Sequence, residues 1–432
     1  MTRTGTSILL LSALLAFGLP RCLQAQATGA TDELSVQQFF EQLNERTTPF
    51  EQFRFLSGPP VQRSPALQGF AQQLLATSSS FLGRPNDAIR EFPIHDESEA
   101  PPALPDTTGF DVIPAVDWIA TQAGGRQVIM VNEAHHKPQT RLLILALLPR
   151  LRALGFTHFA AETFLDQPMQ AGYPTAKSGY YTREPVFAEI VREAARLGYT
   201  LVPYEFTDKG DESQQARETG EARNLAEVLA RDPEARILVH AGYGHVSKSA
   251  GTQPDDADPM ALEFMRLTGL PVLTIDQTRL TWEDGHAAER LSREFNVTSP
   301  SVLLDRETGS AWSAFPDQFD ANVVLPASPA SALRPDWLEL GGRRRAVTVD
   351  MASCIGHLPC LAEARYANEG NDAIPADQFV VLAPEETGTP LYLAPGEYRL
   401  RLLGNDGTSL ADHALIVPST TPIGAQGAKA AP

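Results

Sequence analysis

The sequence predicts an α/β fold: a parallel sheet with crossover helices, followed by a small C-terminal β-rich domain. Three observations carry this. Between about residues 111 and 285, short apolar runs bounded by loops alternate with longer amphipathic stretches of helical spacing, the pattern of buried parallel strands and their crossovers. The turns from helix to strand are tight, whereas the segments from strand to helix are long. After about residue 300 the helical spacing fades and strand-like runs take over.

The predicted parallel strands are Val128-Ile129-Met130-Val131, His158-Phe159-Ala160-Ala161, Leu201-Val202-Pro203-Tyr204, Ile237-Leu238-Val239 and Val272-Leu273-Thr274-Ile275. Three of the intervening helices begin near a proline (Pro138, Pro185, Pro259) and stop near a glycine (Gly155, Gly198, Gly269), as helix ends prefer. Pro149 predicts a bend in the first of them. Upstream, residues 28–110 read as a helical extension around Leu34 to Leu43 and a Pro-rich acidic linker, Ile94 to Pro105. Residues 111–299 make the α/β domain and 300–417 the β-rich domain. In the latter, Val347-Thr348-Val349, Phe379 to Leu382, Leu391 to Leu393 and Tyr398 to Leu403 read as strands, with a hairpin at Pro395-Gly396. Residues 418–432 read as a flexible tail.

Composition bounds the function. The chain has 432 residues, 43% apolar and 20% charged, ordinary for a globular protein with a sizeable core. A net charge of −18 argues against nucleic acid or an anionic membrane as partner. Arg343-Arg344-Arg345 is the tight basic run and reads as a solvated turn. Residues 1–27 read as a secretory signal peptide, with Arg3, an apolar core from Ile8 to Leu19, and the small-residue pattern Ala25-Gln26-Ala27. A lipoprotein would need Cys22 to be acylated, and bulky Arg21 sits where a small residue belongs. The apolar run is shorter than a membrane span of about 20 residues. Removing residues 1–27 takes away Arg3, Arg21 and no acid, moving the charge from −18 to −20. Cys354 and Cys360 then remain, read as one local disulfide in an exported protein, with two free buried cysteines as the alternative.

Chemistry gathers at the strand ends. The first strand leads into Asn132-Glu133-Ala134-His135-His136, the second ends at Glu162, and the third at Tyr204-Glu205. The fourth runs into His240-Ala241-Gly242-Tyr243-Gly244-His245 and the fifth ends at Asp276-Gln277. Parallel strands point these ends one way, at the sheet edge where open α/β folds bind ligands. Glu205 and Asp276 read equally well as helix N-caps, and His158, at the opposite edge, has no assigned role. Several carboxylates and imidazoles buried together are costly unless paired or functional. A base such as His136, oriented by Glu133 or Glu162, can activate water against an ester or amide, with His245 assisting the oxyanion or leaving group. No Gly-x-Ser-x-Gly elbow, His-Glu-x-x-His pair or Cys-x-x-Cys is present. Gly242-Tyr243-Gly244 follows a strand and could host an anion, without the full dinucleotide or P-loop pattern.

The run Val131-Asn132-Glu133-Ala134-His135-His136 resembles the strand-end Gly-Glu-x-x-His signature of the erythromycin esterase family. Glu162 matches that family's second glutamate. Arg217-Glu218 with Ala222, Asn224 and Leu225 is similar to its Arg-[Asp/Glu]…Met-Ala-x-Asn helix, and Val239–His245 to its later strand and turn. The resemblance covers roughly residues 111–285. It implies an esterase-like fold with Glu133, His136, Glu162 and His245 as catalytic residues; His135, Glu205, His240, Tyr243 and Arg217, among the same strand ends and the helix between them, are candidate substrate or ligand contacts. Asn132 stands where the family has glycine. His135 adds an imidazole, so the run also fits the shorter spacing of the related ChaN-like haem-binding and TIKI-type metalloprotease branches. In those branches the site is associated with haem or metal; here the candidate ligands of a divalent metal are His135, His136, Glu162 or Glu205, and His240 or His245, since three protein ligands plus water make an open site.

Three functions follow as expectations. The first is an exported, metal-independent hydrolase of esters, lactones or amides, acting on a small molecule or peptide without a serine nucleophile. The second is a metal-dependent hydrolase or peptidase; the third binds haem or metal without turnover.

Overall fold

The computed structural model describes residues 34–93, 104–206, 210–211, 213–282, 287–329 and 331–419. The signal-peptide reading, most of the Pro-rich linker and residues 420–432 of the tail lie outside the described residues. The chain divides into two compact units, residues 1–335 with 372–374, and residues 336–371 with 375–432. Among the described residues no helix is long and apolar enough to cross a membrane.

The first unit opens with helices α1 (Val36–Asn44), α2 (Pro49–Leu56), α3 (Gln68–Phe81) and α4 (Pro85–Glu91). Capping boxes start the first two, Ser35 with Gln38 and Thr48 with Glu51. Phe39, Leu43, Leu56, Val61, Leu67 and Leu74 form their shared core.

The α/β part follows as β1 (Phe110–Pro114), α5 (Ala115–Gln122), β2 (Val128–Glu133), α6 (Arg141–Ala153) and β3 (His158–Ala161). It continues with α7 (Pro185–Arg196), β4 (Thr200–Pro203), α8 (Gln214–Arg231) and β5 (Ile237–Gly242). Then come α9 (Met260–Thr268), β6 (Val272–Asp276), α10 (Ala287–Glu294), β7 (Ser301–Asp305) and β8 (Ala321–Asn322). Six strands form one parallel sheet in the order β4-β3-β5-β2-β6-β8. The five predicted parallel strands are all present. β2, β5 and β6 are buried along their whole length, which explains why their sequences run apolar instead of alternating. The proline and glycine punctuation also holds: α9 starts after Pro259 and stops at Gly269, whose φ of 71° only glycine adopts freely.

This unit extends past residue 300, where the sequence reading placed a boundary. β7 pairs antiparallel with β1, and β8 adds the sixth strand beside β6. β8 has only two residues, too few to show a period, and β7 pairs with β1 across most of the length of the unit, which local spacing does not reveal.

The second unit is β-rich, as predicted. β10 (Cys360–Tyr366), β11 (Asp377–Val381), β13 (Gly396–Leu403) and β14 (Ser409–Val417) form an antiparallel sheet in the order β11-β10-β13-β14. β9 (Arg345–Val347) pairs with β12 (Leu391–Leu393). In β13, Tyr398, Leu400 and Leu402 point into the core with Phe379 and Val381, and the residues between them face outward. The hairpin expected at Pro395-Gly396 does not form. That turn carries the chain from β12 in one sheet to β13 in the other, and β13 instead pairs with β14 around Gly407. Cys354 and Cys360 form the expected disulfide inside this core.

Candidate active site

The sheet order brings the predicted strand ends together. β5 lies between β3 and β2, so His240 is level with Ala161 on one side and Val131 on the other, and Gly242 is level with Glu133. Glu133, His135, Glu162, His240 and Gly242, with Thr163, Tyr181, Phe187 and Ala241, line one small cavity of about 10 Å³, room for about one water molecule.

Glu133 is anchored by a residue the sequence reading missed. Arg141, fully buried at the start of α6, donates to Glu133 through Nε (2.6 Å) and Nη2 (3.1 Å), and to Glu184 through Nη1 (2.9 Å). Glu184 also caps α7 through the Val186 and Phe187 amides. Burial disfavours charge on Glu133, but Arg141, His240 and the His135 hydrogen bond outweigh it and hold the carboxyl far below its ordinary range. The ionised carboxylate accepts from His135 Nδ1 at 2.9 Å. In the neutral ring this leaves the lone pair on Nε2. The Tyr181 ring stacks on His135 at 3.7 Å, fixing its plane.

Glu162 is held from the other side. Its Oε2 accepts from the Gly242 amide (2.6 Å) and its Oε1 from Arg217 Nη2 (2.8 Å). Burial opposes its charge, yet His245, Arg217 and His135 together keep its pKa at about 2. A Cβ on residue 242 would fall on His135 Nε2 and lie 3.1 Å from Glu162 Oε2, so the missing side chain is what lets these two groups approach. His240 completes the cavity, with Nε2 3.5 Å from Glu133. Burial lowers its pKa to about 4, so the ring is neutral near pH 7.

Behind Glu162, Arg217 on α8 also donates to both Glu205 oxygens (3.0 and 3.1 Å), lies 3.1 Å from Glu221, and donates through Nη1 to His245 Nε2 (3.1 Å). His245 Nδ1 meets Glu218 at 2.8 Å. The acids raise the affinity of this ring for a proton: burial opposes it, and Glu218 and Glu162 more than compensate. Arg217, however, can only donate, so Nε2 must present its lone pair while that contact stands.

Several expected roles move. His136, expected as the base, is no part of the cavity lining: its ring stacks on Phe92 at 3.7 Å and its Nδ1 meets the Tyr243 hydroxyl at 3.1 Å. The backbone turns between residues 135 and 136, sending the two imidazoles different ways. Tyr243, at φ 42°, also accepts the His135 amide N–H, so it fixes the histidine turn and does not face the cavity. His245 sits 3.9 Å behind Glu162 and is also outside the lining. Glu205 is an Arg217 partner, the cap of α8 being Ser213. Asp276 accepts from Asn132, Asn322 and Thr278 and takes the Thr278 and Arg279 amides, a structural role.

The expected metal ligands His135, His136, Glu162, His240 and His245 do not gather at ligating distance. Among the described residues, Glu218, Glu221 and His245 bring one donor atom each within 4.8 Å of one another. All three are buried, so this group could hold a cation, and a cation bound at His245 Nδ1 would displace the proton that Glu218 accepts. A haem macrocycle does not fit the cavity beneath Tyr181.

No protein-family model and no curated protein matches the chain. Among solved structures, it is similar to the type III effector HopBA1, at 17% identity and a TM-score of 0.26 over 39% of this chain and 87% of that one. It is also similar to a structure of bacterial protein toxins, at 13% identity and 0.28 over 56% of this chain. The match spans about half, 47%, of that second chain. Neither likeness bears on function.

Besides Arg141 and Glu184, the sequence reading missed Glu218 and Glu221 as neighbours of His245. A signal was present. Arg217 and Glu221 are four apart and Asn224 seven, one face of a helix, and Asn224 donates to the Tyr204 carbonyl at 2.9 Å, docking α8 on the end of β4.

Proposed function

We propose that the chain is an exported hydrolase of esters, lactones or amides in which water, not a serine, is the nucleophile. The observation that carries this reading is His135. Its Nδ1 is fixed by an ionised carboxylate, and its Nε2 shares with Glu162 a cavity the size of one water molecule.

In this reading His135 Nε2 removes a proton as the water oxygen bonds to the carbonyl carbon. Glu162 and Glu133, both ionised, stabilise the imidazolium that forms. Neutral His240 offers a hydrogen bond to the carbonyl oxygen as it becomes an oxyanion. When the tetrahedral intermediate collapses, the bond to the leaving oxygen or nitrogen breaks, and the imidazolium returns the proton to it. Arg217, Glu218 and His245 position Glu162 from behind. The cavity is too small for a substrate as it stands, so the Thr163–Glu184 loop must lift Tyr181 off His135 to admit one. The esterase resemblance supports the reaction class, with the base moved from His136 to His135.

The test is hydrolysis of a panel of nitrophenyl esters, lactones and acyl amides, followed in His135→Ala and His136→Ala. The His135 change is expected to lower kcat by about 10²–10⁴-fold, the range for loss of a general base, with the folded state retained by circular dichroism. The His136 change is expected to leave most turnover. Wild-type protein inert to the whole panel, or full activity in His135→Ala, overturns the proposal.

A further inference from the structure

Behind Glu162 the acids outnumber the bases. Arg217 binds Glu162 (2.8 Å) and Glu205 (3.0 Å) and lies 3.1 Å from Glu221, while Glu218 meets the far side of His245. One guanidinium thus serves a group of four carboxylates. Glu218 and Glu221 have no exposed surface at all, and His245 is equally enclosed. Three apart on α8, the two glutamates share a helix face, and that face meets the short 3-10 turn Tyr243–Val246 that carries His245.

The two glutamates differ in how they are satisfied. Glu218 accepts from Gln214 Nε2 (2.6 Å), from the Met260 amide (2.7 Å) and from His245 Nδ1 (2.8 Å). Neither oxygen of Glu221 has a hydrogen-bond partner. Arg217 Nε approaches its Oε1 without hydrogen-bond geometry, and its Oε2 faces His245 Nδ1 from 3.9 Å. A carboxylate taken wholly out of water without a donor is costly, and folded proteins keep one where an ion or a function compensates.

We propose that Glu218, Glu221 and His245 form a binding site for a divalent cation, best suited to Zn²⁺, that lies behind Glu162 and apart from the reacting water. One donor atom from each residue already falls within 4.8 Å of the others. Two carboxylates and an imidazole are a Zn²⁺ donor set, whereas Ca²⁺ and Mg²⁺ ask for six or more oxygens, which three buried side chains do not supply. Bonds of about 2.1 Å in a tetrahedral site space the donors by roughly 3.4 Å, so the carboxylates at 2.8 and 3.9 Å from His245 Nδ1 need to move by only about 0.5 Å.

Loading has a consequence for His245. A cation on Nδ1 releases the proton that Glu218 accepts, and the neutral ring then carries its proton on Nε2. Arg217 Nη1 must give up its contact there, and Glu162 Oε1, 3.9 Å from Nε2, becomes the acceptor. The result is a carboxylate–histidine–metal chain that ends on Glu162. The cation site stands independently of the hydrolase reading; only its effect on Glu162 borrows from it.

The experiment uses the untagged full-length chain, purified without chelators, its metal content measured by elemental analysis. It is then stripped with dipicolinate and reloaded with Zn²⁺, Co²⁺, Mg²⁺ or Ca²⁺ while melting and the visible Co²⁺ spectrum are recorded. About one Zn²⁺ per chain is expected, with a melting temperature that rises on Zn²⁺ or Co²⁺ and not on Mg²⁺ or Ca²⁺. Glu221→Gln keeps the shape and removes the charge. It is expected to weaken Zn²⁺ binding by more than the roughly 10–100-fold that loss of a group merely supporting a ligand costs. Should that variant not fold, His245→Gln must weaken binding as strongly and shift the Co²⁺ bands. Wild type that takes up no Zn²⁺ and is not stabilised by it, or binding unchanged in both variants, overturns the proposal and leaves Glu221 neutralised by a proton alone. Binding that depends on Glu221 while every ester, lactone and amide stays intact overturns the hydrolase reading and leaves the cation site standing.

Discussion

Gly242 sets the spacing of the cavity, because a single methyl there collides with the His135 ring and presses on Glu162. Gly242→Ala is therefore expected to destabilise the fold by about 1–3 kcal/mol, the usual cost of overpacking, and to abolish turnover. Thermal melting and the ester assay check both parts; a fully active alanine variant would show that His135 and Glu162 need not approach. At this scale much of the site was legible. Glu133, Glu162 and His240 stand at ends of buried parallel strands, where alternation and strand direction fix their place. The choice between His135 and His136 was not legible, since both lie past the strand, where period two no longer governs which way a side chain turns. Arg141 and Glu184 were hidden for another reason. Arg141 reaches Glu133 from α6, Glu184 reaches Arg141 from the start of α7, and only tertiary packing brings those two helices together.

Among the elements, the end of β2 depends on Asn132, the residue that departs from the esterase pattern. Its amide donates to Asp276 (2.7 Å), to the Tyr243 carbonyl (2.8 Å) and to Thr278 (3.1 Å), and its oxygen accepts the Gln277 amide (2.7 Å). One side chain thus ties β2 to the end of β6 and to the loop after β5. Asn132→Gly, which restores the residue of the resembling family, is expected to cost on the order of 3 kcal/mol, because several buried partners lose their bonds at once. Urea unfolding measures this, and a change below the error of the fit would sink the account. The strands and their order in the chain were readable from apolar runs and from proline and glycine punctuation. Their order in the sheet was not, because crossovers that skip a strand leave no mark on periodicity.

For the whole molecule, the buried titratable groups predict an acid limb of stability. His240 falls from an ordinary 6.5 to about 4 on folding. Between those values the unfolded chain holds a proton that the folded chain does not, so stability is full above 6.5 and drains as pH falls toward 4. Glu162, lowered from 4.5 to about 2, continues the loss over that lower window, with the same sign. His245, whose pKa is raised, acts oppositely: its contribution is present at low pH and fades as pH rises through its folded value. The expected outcome is a urea midpoint that declines on acidification from pH 6.5 to 4, and a shallower decline in His240→Asn. Identical slopes in the two proteins would contradict the assignment. The division into units was legible only in part, since β7 and β8 lie beyond residue 300 yet belong to the first unit.

The placement of β5 between β3 and β2 also sets a timetable. His135 and Glu162 are made early, on strands that never touch each other, and stay apart until a later stretch of chain slides in as the middle plank. A polypeptide grown only to Arg236 holds both residues but has nothing to bridge them. The moment at which the pocket first forms, followed during refolding, therefore dates the arrival of that one strand.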